Sequence, residues 1–456
     1  MKTKAAAFLL AAAAGLRFLF LGAKSLWFDE ASTVLLATRP LSELPGLLIA
    51  NEANPPLYYG LMHFWLKLFA DPRLGLRAFS ALCGAAALYA FKGLAERALP
   101  PRARTPALLL AALSSFWIHA AQDGRCYSLL LLISVVTTRL TLELSEKPEK
   151  RLWLAYAALA AAGLWTHYYY AVLLAGHAAW LLRGRDRKAF LLAHLAAGLA
   201  FAPWLPSMLA QARLHAGDPV LGEALGPARV LDLLGTSFFD VTFLGLVLPA
   251  WSGVAVGAGF VALLALARRE KAEAFAFAAS HLAVGLGVVI AVELWGGRPV
   301  TQARYFYPLS PLILLGAAAG LAGTSRLSKA ARVAAGLVVL GGTAGYFYSA
   351  LKVDPRLAEL AAFIRRSSGP EIPVVHLGKY YYLPLRVYYL PERKNLLLAS
   401  EAVGMDFRAM PPYPGVIEKD ELAAIPRVVV VDESRVLSKE RVVLATGAQL
   451  SGLLFR

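Results

Sequence analysis

Pro55-Pro56-Leu57-Tyr58-Tyr59-Gly60-Leu61-Met62-His63-Phe64-Trp65-Leu66-Lys67-Leu68-Phe69 is the stretch whose reading sets the topology of the whole chain. It is apolar enough to pass for a membrane span. Yet it runs to only about 15 residues, short of the roughly 20 a helix needs to cross hydrocarbon. It also carries His63 and Lys67 among interfacial aromatics. Those traits suit a helix lying at the membrane surface, and we expect a surface helix over 56–69.

Hydrophobic residues make up 58% of the 456-residue chain, charged residues 17%, and the mean hydropathy is +0.56, too apolar for a string of soluble domains. Apolar runs recur near 5–23, 77–95, 105–121, 127–143, 152–166, 168–182, 189–206, 243–267, 272–293, 305–322 and 331–350. The expected fold class is a membrane all-α protein of about 11 transmembrane helices with external juxtamembrane helices. A small C-terminal extracytoplasmic α/β domain completes it. The fifth and sixth runs are short, and only Thr166-His167 separates them. Met1-Lys2-Thr3-Lys4 could open a signal peptide, but the apolar run continues to Gly22 across Arg17, which favours a retained first span.

With 56–69 kept out of the membrane, the basic loops 96–104, 144–151, 183–188, 268–271 and 324–332 all fall on the side of Lys2 and Lys4. Counting it as a span would send these clusters to the far side, against the tendency of basic loops to stay in the cytoplasm. The formal charge of +16 is then an orientation signal. No basic stripe with interleaved aromatics accompanies it, so nucleic acid is not an expected partner. Cys83 and Cys126 make neither a disulfide framework nor a thiolate metal site. The expected domains are a multi-span domain over 1–350, with its first external loop over 24–76, and a soluble external domain over 351–456. In the latter, 354–368 reads as an amphipathic helix, 372–377 and 427–432 as strands, and 379–390 as an aromatic helix or turn.

This topology collects polar residues on one side. The first external loop holds Asp29-Glu30 and Asn51-Glu52-Ala53-Asn54-Pro55-Pro56, and the second Gln122-Asp123-Gly124-Arg125-Cys126-Tyr127. Trp165-Thr166-His167-Tyr168-Tyr169-Tyr170, Arg298 and Gln302-Ala303-Arg304-Tyr305-Phe306-Tyr307 follow. Each has a plain structural reading. Asp29-Glu30 suits a helix N-terminus, Asp123 and Arg125 an ion pair at a helix end, and His167 an aromatic belt. Arg298 and Arg304 could bind loop carbonyls, and Pro55-Pro56 could simply start a helix. Together, though, carboxylates beside arginines at hydrocarbon's edge point to chemistry. Arginine forks bind phosphate bidentately, and a carboxylate takes the proton from an attacking hydroxyl. The matching substrate is a lipid with a phosphate headgroup.

The order Trp-Phe-Asp-Glu-Ala, acid-x-Asn-Pro-Pro-Leu-Tyr-Tyr, Gln-Asp-Gly-Arg-x-Tyr-Ser, Thr-His-Tyr and Ala-Arg-Tyr before an apolar span resembles bacterial glycosyltransferases of the C superfamily. These are similar to protein O-mannosyltransferases and lipid A aminoarabinose transferases. The resemblance covers about 1–350. It implies an inverting transferase of the plasma (inner) membrane that uses a polyprenyl-phosphate sugar donor on the outer face. A lipid, glycan or protein hydroxyl would be the acceptor, and membrane lipids would surround it. The acid of the first external loop, the presumed catalytic base, matches Asp29, with Glu30 beside it, and the second acid matches Glu52. Where the family often has His before Pro-Pro, this chain has Asn54; where Gln-Glu-Ala-Arg is common, it reads Gln122-Asp123-Gly124-Arg125. Some members bind a divalent metal, a possible cofactor here with Glu52 and His167 as its ligands, although Asn54 stands in place of the histidine.

The implied mechanism is a single displacement. Asp29 deprotonates the acceptor, with Glu30 and Glu52 as the other catalytic candidates. Arg125, Arg298 and Arg304 hold the donor phosphate, and Asn54, Gln122, Asp123, His167, Tyr168 and Tyr305 orient sugar or acceptor. Two other classes remain. A transporter or flippase would place charges mid-span and repeat its halves, and a scaffold would tolerate loss of the acids and arginines.

Overall fold

The computed structural model describes residues 3–184, 186–214, 226–236, 251–270, 272–296, 302–323, 326–352, 357–398, 416–417, 421–422, 424–431 and 442–445. Along the chain run α1 (Thr3–Phe18), α2 (Phe28–Ala37), α3 (Leu44–Asn51), α4 (Leu57–Trp65), α5 (Pro72–Ala98), α6 (Pro101–Leu113) and α7 (Ser115–Gln122). Then come α8 (Tyr127–Glu146), α9 (Lys150–Thr166), α10 (Tyr170–Leu181), α11 (Arg187–Phe201), α12 (Leu205–Leu214) and α13 (Pro227–Thr236). The last helices are α14 (Trp251–Glu270), α15 (Ala272–Gly296), α16 (Ser310–Leu321), α17 (Arg326–Lys352), α18 (Leu357–Ser367) and α19 (Lys379–Pro384). The strands are β1 (Val374–His376), β2 (Asn395–Leu398), β3 (Val416–Ile417), β4 (Val428–Val431) and β5 (Val442–Ala445).

The chain divides into two compact units. One comprises Met1–Leu21, Arg77–Leu205 and Pro219–Lys352; the other Gly22–Leu76, Pro206–Asp218 and Val353–Arg456.

The first unit is a helix bundle of a multi-pass membrane protein. Among the described residues, six helical runs are long and apolar enough to cross a membrane: Pro72–Ala98, Tyr127–Glu146, Arg187–Leu214, Trp251–Arg268, Phe275–Trp295 and Ser328–Tyr348. Ala7–Phe18, Tyr170–Leu181 and Ser310–Leu321 are shorter apolar helices. On α11, Leu191, Leu192, Leu195 and Leu199 share a face and are each more than half exposed, as a lipid-facing stripe requires. Arg97 at the end of α5 pairs with Glu146 at the end of α8, so two of the basic loops meet at one end of the bundle. Between α9 and α10 the turn is tight. A Cβ on Gly163 would lie 2.6 Å from the Tyr170 ring, so glycine lets the fifth and sixth apolar runs close into a hairpin.

The run read as one span over 105–121 is instead two helices that break at Ser114. Ser114 caps α7, its Oγ accepting from Trp117 N–H at 3.2 Å. The break would strand the last carbonyls of α6 in hydrocarbon, where no water can satisfy them. Arg17, fully buried, donates to the carbonyls of Ala111 at 3.0 Å and Ala112 at 3.4 Å, and Thr343 donates to that of Leu113 at 2.6 Å. The arginine that interrupts the first apolar run thus has a structural use.

In the second unit, α4 and the short turn Leu66–Leu68 span 9 and 3 residues, too few to cross a bilayer. Tyr58, Tyr59 and Met62 are buried while Leu61, Phe64 and Leu68 are exposed, and Lys67 lies 5.2 Å from the centre of the Phe64 ring. That split of apolar faces is what a surface helix needs. The tail supplies a sheet of order β3-β2-β1-β4-β5, parallel except for the β4–β5 pair. Val375, Leu396, Ile417, Leu422, Val428 and Val430 form a core on it. β1, β4 and α18 sit where sequence patterning puts them, β2, β3 and β5 were not read from the sequence, and 379–390 is α19 followed by a π turn over Leu385–Tyr389.

Candidate active site

The first group of site residues belongs to the second unit. Trp27 is extended (φ −97°, ψ 174°), so the chain turns abruptly into α2 at Phe28. Asp29 and Glu30 fall in its first turn, where unpaired N–H groups favour anions. The two acids differ. Glu30 is buried and bends back to accept from Trp27 N–H at 3.4 Å, a helix-capping role. Asp29 is only half-buried. Beyond α3, Glu52 and Asn54 are buried in one loop, where the Glu52 Oε1 accepts from Ala53 N–H at 3.0 Å and from Asn54 Nδ2 at 2.9 Å. Gln211 of α12 locks this loop, its amide donating to the carbonyls of Leu48 at 3.0 Å, Glu52 at 2.8 Å and Asn54 at 3.4 Å. Sequence reasoning missed Gln211, because a glutamine on a helix beyond an apolar run carries no local signal.

The second group belongs to the first unit. Asp123 and Arg125 are buried in the turn between α7 and α8, with Arg125 N–H bonded to the Asp123 carbonyl at 2.8 Å. Arg125 and Arg304 both lie within electrostatic range of the Tyr127 phenol. Arg304 lies 5.9 Å from the centre of the Tyr305 ring and donates to Gln302 Oε1 at 2.6 Å. Around them is an aromatic cluster. His167 is 5.2 Å from Tyr305 and 5.8 Å from Tyr127 between ring centres, Tyr169 packs on Tyr305 at 4.6 Å, and Tyr307 stacks on Phe116 at 3.9 Å. The His167 Nδ1 accepts from Tyr169 N–H at 3.1 Å, which in a neutral ring puts the proton on Nε2. Tyr168 turns elsewhere, its hydroxyl accepting from Trp204 Nε1 at 2.9 Å. Tyr127, Tyr169 and Tyr307 stand in the loops quoted from the sequence, where no role was assigned to them.

Two expected residues need separate mention. Gln122 donates to the carbonyls of Leu16 at 3.0 Å and Leu19 at 2.8 Å, and accepts from the Tyr346 hydroxyl at 3.1 Å. Its amide is a joint between α1, α7 and α17 rather than an open donor. Arg298 lies outside the described residues.

Among the described residues no three His, Cys, Asp or Glu side chains gather to hold an ion. Asn54 also turns a donor, not a lone pair, towards Glu52.

Residues 53–209 match the profile of the family described as dolichyl-phosphate-mannose-protein mannosyltransferase. No curated protein sequence matches the chain. In structure, the chain is similar to ArnT from Cupriavidus metallidurans bound to undecaprenyl phosphate, with 14% identity, a TM-score of 0.63, and 95% of this chain and 93% of that one covered. The apo ArnT gives a TM-score of 0.62 at 14% identity over 94% and 93%. The apo oligosaccharyltransferase of Archaeoglobus fulgidus gives 0.51 at 12% identity over 86% of this chain and 64% of that one. The motifs, the family profile and the fold agree: the chain resembles the membrane glycosyltransferases of the C superfamily.

Proposed function

We propose that this protein is an integral membrane glycosyltransferase that moves a sugar from a polyprenyl-phosphate donor to an acceptor hydroxyl, with inversion at the anomeric carbon. The acceptor O–H gives its proton to the Asp29 carboxylate as its oxygen bonds to the anomeric carbon. The anomeric C–O bond breaks, and its electron pair leaves with the polyprenyl phosphate. Arg125 and Arg304 hold the charge of the departing phosphate, the larger electrostatic contribution for so good a leaving group. Glu52 and Asn54 in the second unit and Asp123 in the first are the further polar candidates, and the aromatic faces around His167 and Tyr305 suit a sugar ring. The likeness to an ArnT structure that holds undecaprenyl phosphate supports the donor class.

The observation that carries this reading is the contrast inside the first turn of α2. Glu30 is buried and caps the helix, leaving Asp29 beside it as the half-buried carboxylate of the pair. About 11 spans, a cytoplasmic N-terminus and an external second unit complete the proposal. The clustering of 22–76, 206–218 and 353–456 into one unit supports a shared side for these three segments. Mass spectrometry of cell-envelope glycans and polyprenyl-phosphate sugars, with and without the protein, tests it. An accumulated donor and one missing product are expected; unchanged pools of both would overturn it.

A further inference from the structure

Three of the four residues that lead into Asp29, namely Ser25, Leu26 and Phe28, are held by the C-terminal part of their own unit. Leu26 N–H donates to the Tyr389 hydroxyl at 2.8 Å, across 363 residues of chain. Leu357 N–H donates to the Ser25 Oγ at 3.1 Å. The Phe28 ring meets the Tyr380 ring edge-on, centres 5.6 Å apart, and α2 packs on α19 and the π turn that follows it. Tyr389 is itself fixed, since Arg365 donates to its carbonyl at 2.6 Å and to Glu392 at 2.8 Å. The first turn of a helix has no intrahelical partners for its N–H groups and frays easily. A general base, by contrast, must be held within about 0.5 Å of its working position.

We propose that Tyr389 is a positioning residue for Asp29, its hydroxyl gripping Leu26 so that the C-terminal sheet unit sets where the base stands. The hydroxyl is the group that matters, because it accepts from a main-chain N–H three residues before Asp29. The ring alone would only fill space. The inference rests on Asp29 being the base, and it makes the tail part of the catalytic apparatus without any tail residue touching substrate.

The test is Tyr389→Phe in the full-length protein, which removes one oxygen and keeps the ring. The lipid extract of cells lacking the protein, in which donor accumulates, serves as the substrate and is titrated. Amide exchange is followed by mass spectrometry in the same preparation. Maximal transfer should fall about ten- to a hundred-fold, the cost of a small misplacement, at an unchanged half-saturating extract concentration. Exchange should quicken over 25–30 and stay unchanged over β1. Undiminished transfer, a loss of transfer with unaltered exchange over 25–30, or quickened exchange across β1 as well would each overturn the proposal. Asp29→Asn run alongside separates the two readings. If that variant still transfers, the base assignment has failed; if it is dead while Tyr389→Phe is fully active, only the positioning role has.

Discussion

The side-chain amide of Gln211 donates to the main-chain carbonyl of Glu52 at 2.8 Å, and the same nitrogen reaches the carbonyls of Leu48 and Asn54. One buried group on α12 therefore gathers the whole acid-bearing loop, 159 residues away in sequence at the Glu52 contact. Gln211→Leu keeps the volume but removes the donor that the Glu52 and Asn54 carbonyls share, while the Leu48 carbonyl still accepts from Glu52 N–H at 3.0 Å. It should destabilise the second unit by about 1–3 kcal/mol and lower transfer with it. Thermal unfolding in detergent checks this, and a wild-type midpoint contradicts it.

Arg17 should behave as a structural arginine. Replacing it by Met leaves the Ala111 and Ala112 carbonyls bare at the α6–α7 break, a penalty of roughly 1–3 kcal/mol per lost partner. The unfolding temperature should drop well below that of Leu195→Met on the lipid-facing stripe. Equal midpoints for the two variants would count against the role of Arg17.

Arg304 should depend on its fork as well as its charge. With undecaprenyl phosphate as the probe, Arg304→Lys should bind at least about ten-fold more weakly, because an ammonium cannot make the paired contacts to a phosphate. Arg304→Ala should be weaker still. Wild-type affinity in the alanine variant would remove Arg304 from the phosphate site.

His376 gives the tail a pH dependence. Burial pushes its imidazole down from 6.5 to about 4, against the opposing hydrogen bond to Asn395. The folded form then stays neutral where the unfolded chain takes up a proton. Stability should therefore be full above about pH 6.5, fall as pH drops towards about 4, and level off below. The loss should be on the order of 3 kcal/mol. Amide exchange over β1 at pH 5 and 7, corrected for the intrinsic rate, reads it. An equal β1 opening energy at both values would contradict it, as would an undiminished difference in His376→Gln.

Much of the architecture was legible because hydrocarbon imposes long-range rules on short-range patterns. The apolar runs became helices, the short aromatic stretch at 57–65 proved too brief to span, and the valine run at 428–431 became a central strand. The break at Ser114 was not legible, because a helix can end inside an apolar run when Arg17 and Thr343 arrive from elsewhere to satisfy it. The acids and arginines proposed for the site stood out in sequence as costly at hydrocarbon's edge. Gln211 and Tyr389 did not, since each acts on a main-chain group far away in sequence and leaves no periodic or local trace. Nor was the joint made by Gln122 legible: a polar residue at hydrocarbon's edge reads alike in sequence whether or not its amide also ties three helices together.

The most direct test of the account is sugar transfer by Asp29→Asn, assayed by mass spectrometry of product formed from the accumulated donor extract, beside Glu30→Gln. The account predicts that the asparagine variant folds and binds undecaprenyl phosphate like the wild type yet forms no product. Glu30→Gln, which keeps the capping oxygen and loses a charge worth about 0.5–1 kcal/mol at a helix N-terminus, should retain most transfer. Near-normal product from Asp29→Asn would contradict the central claim.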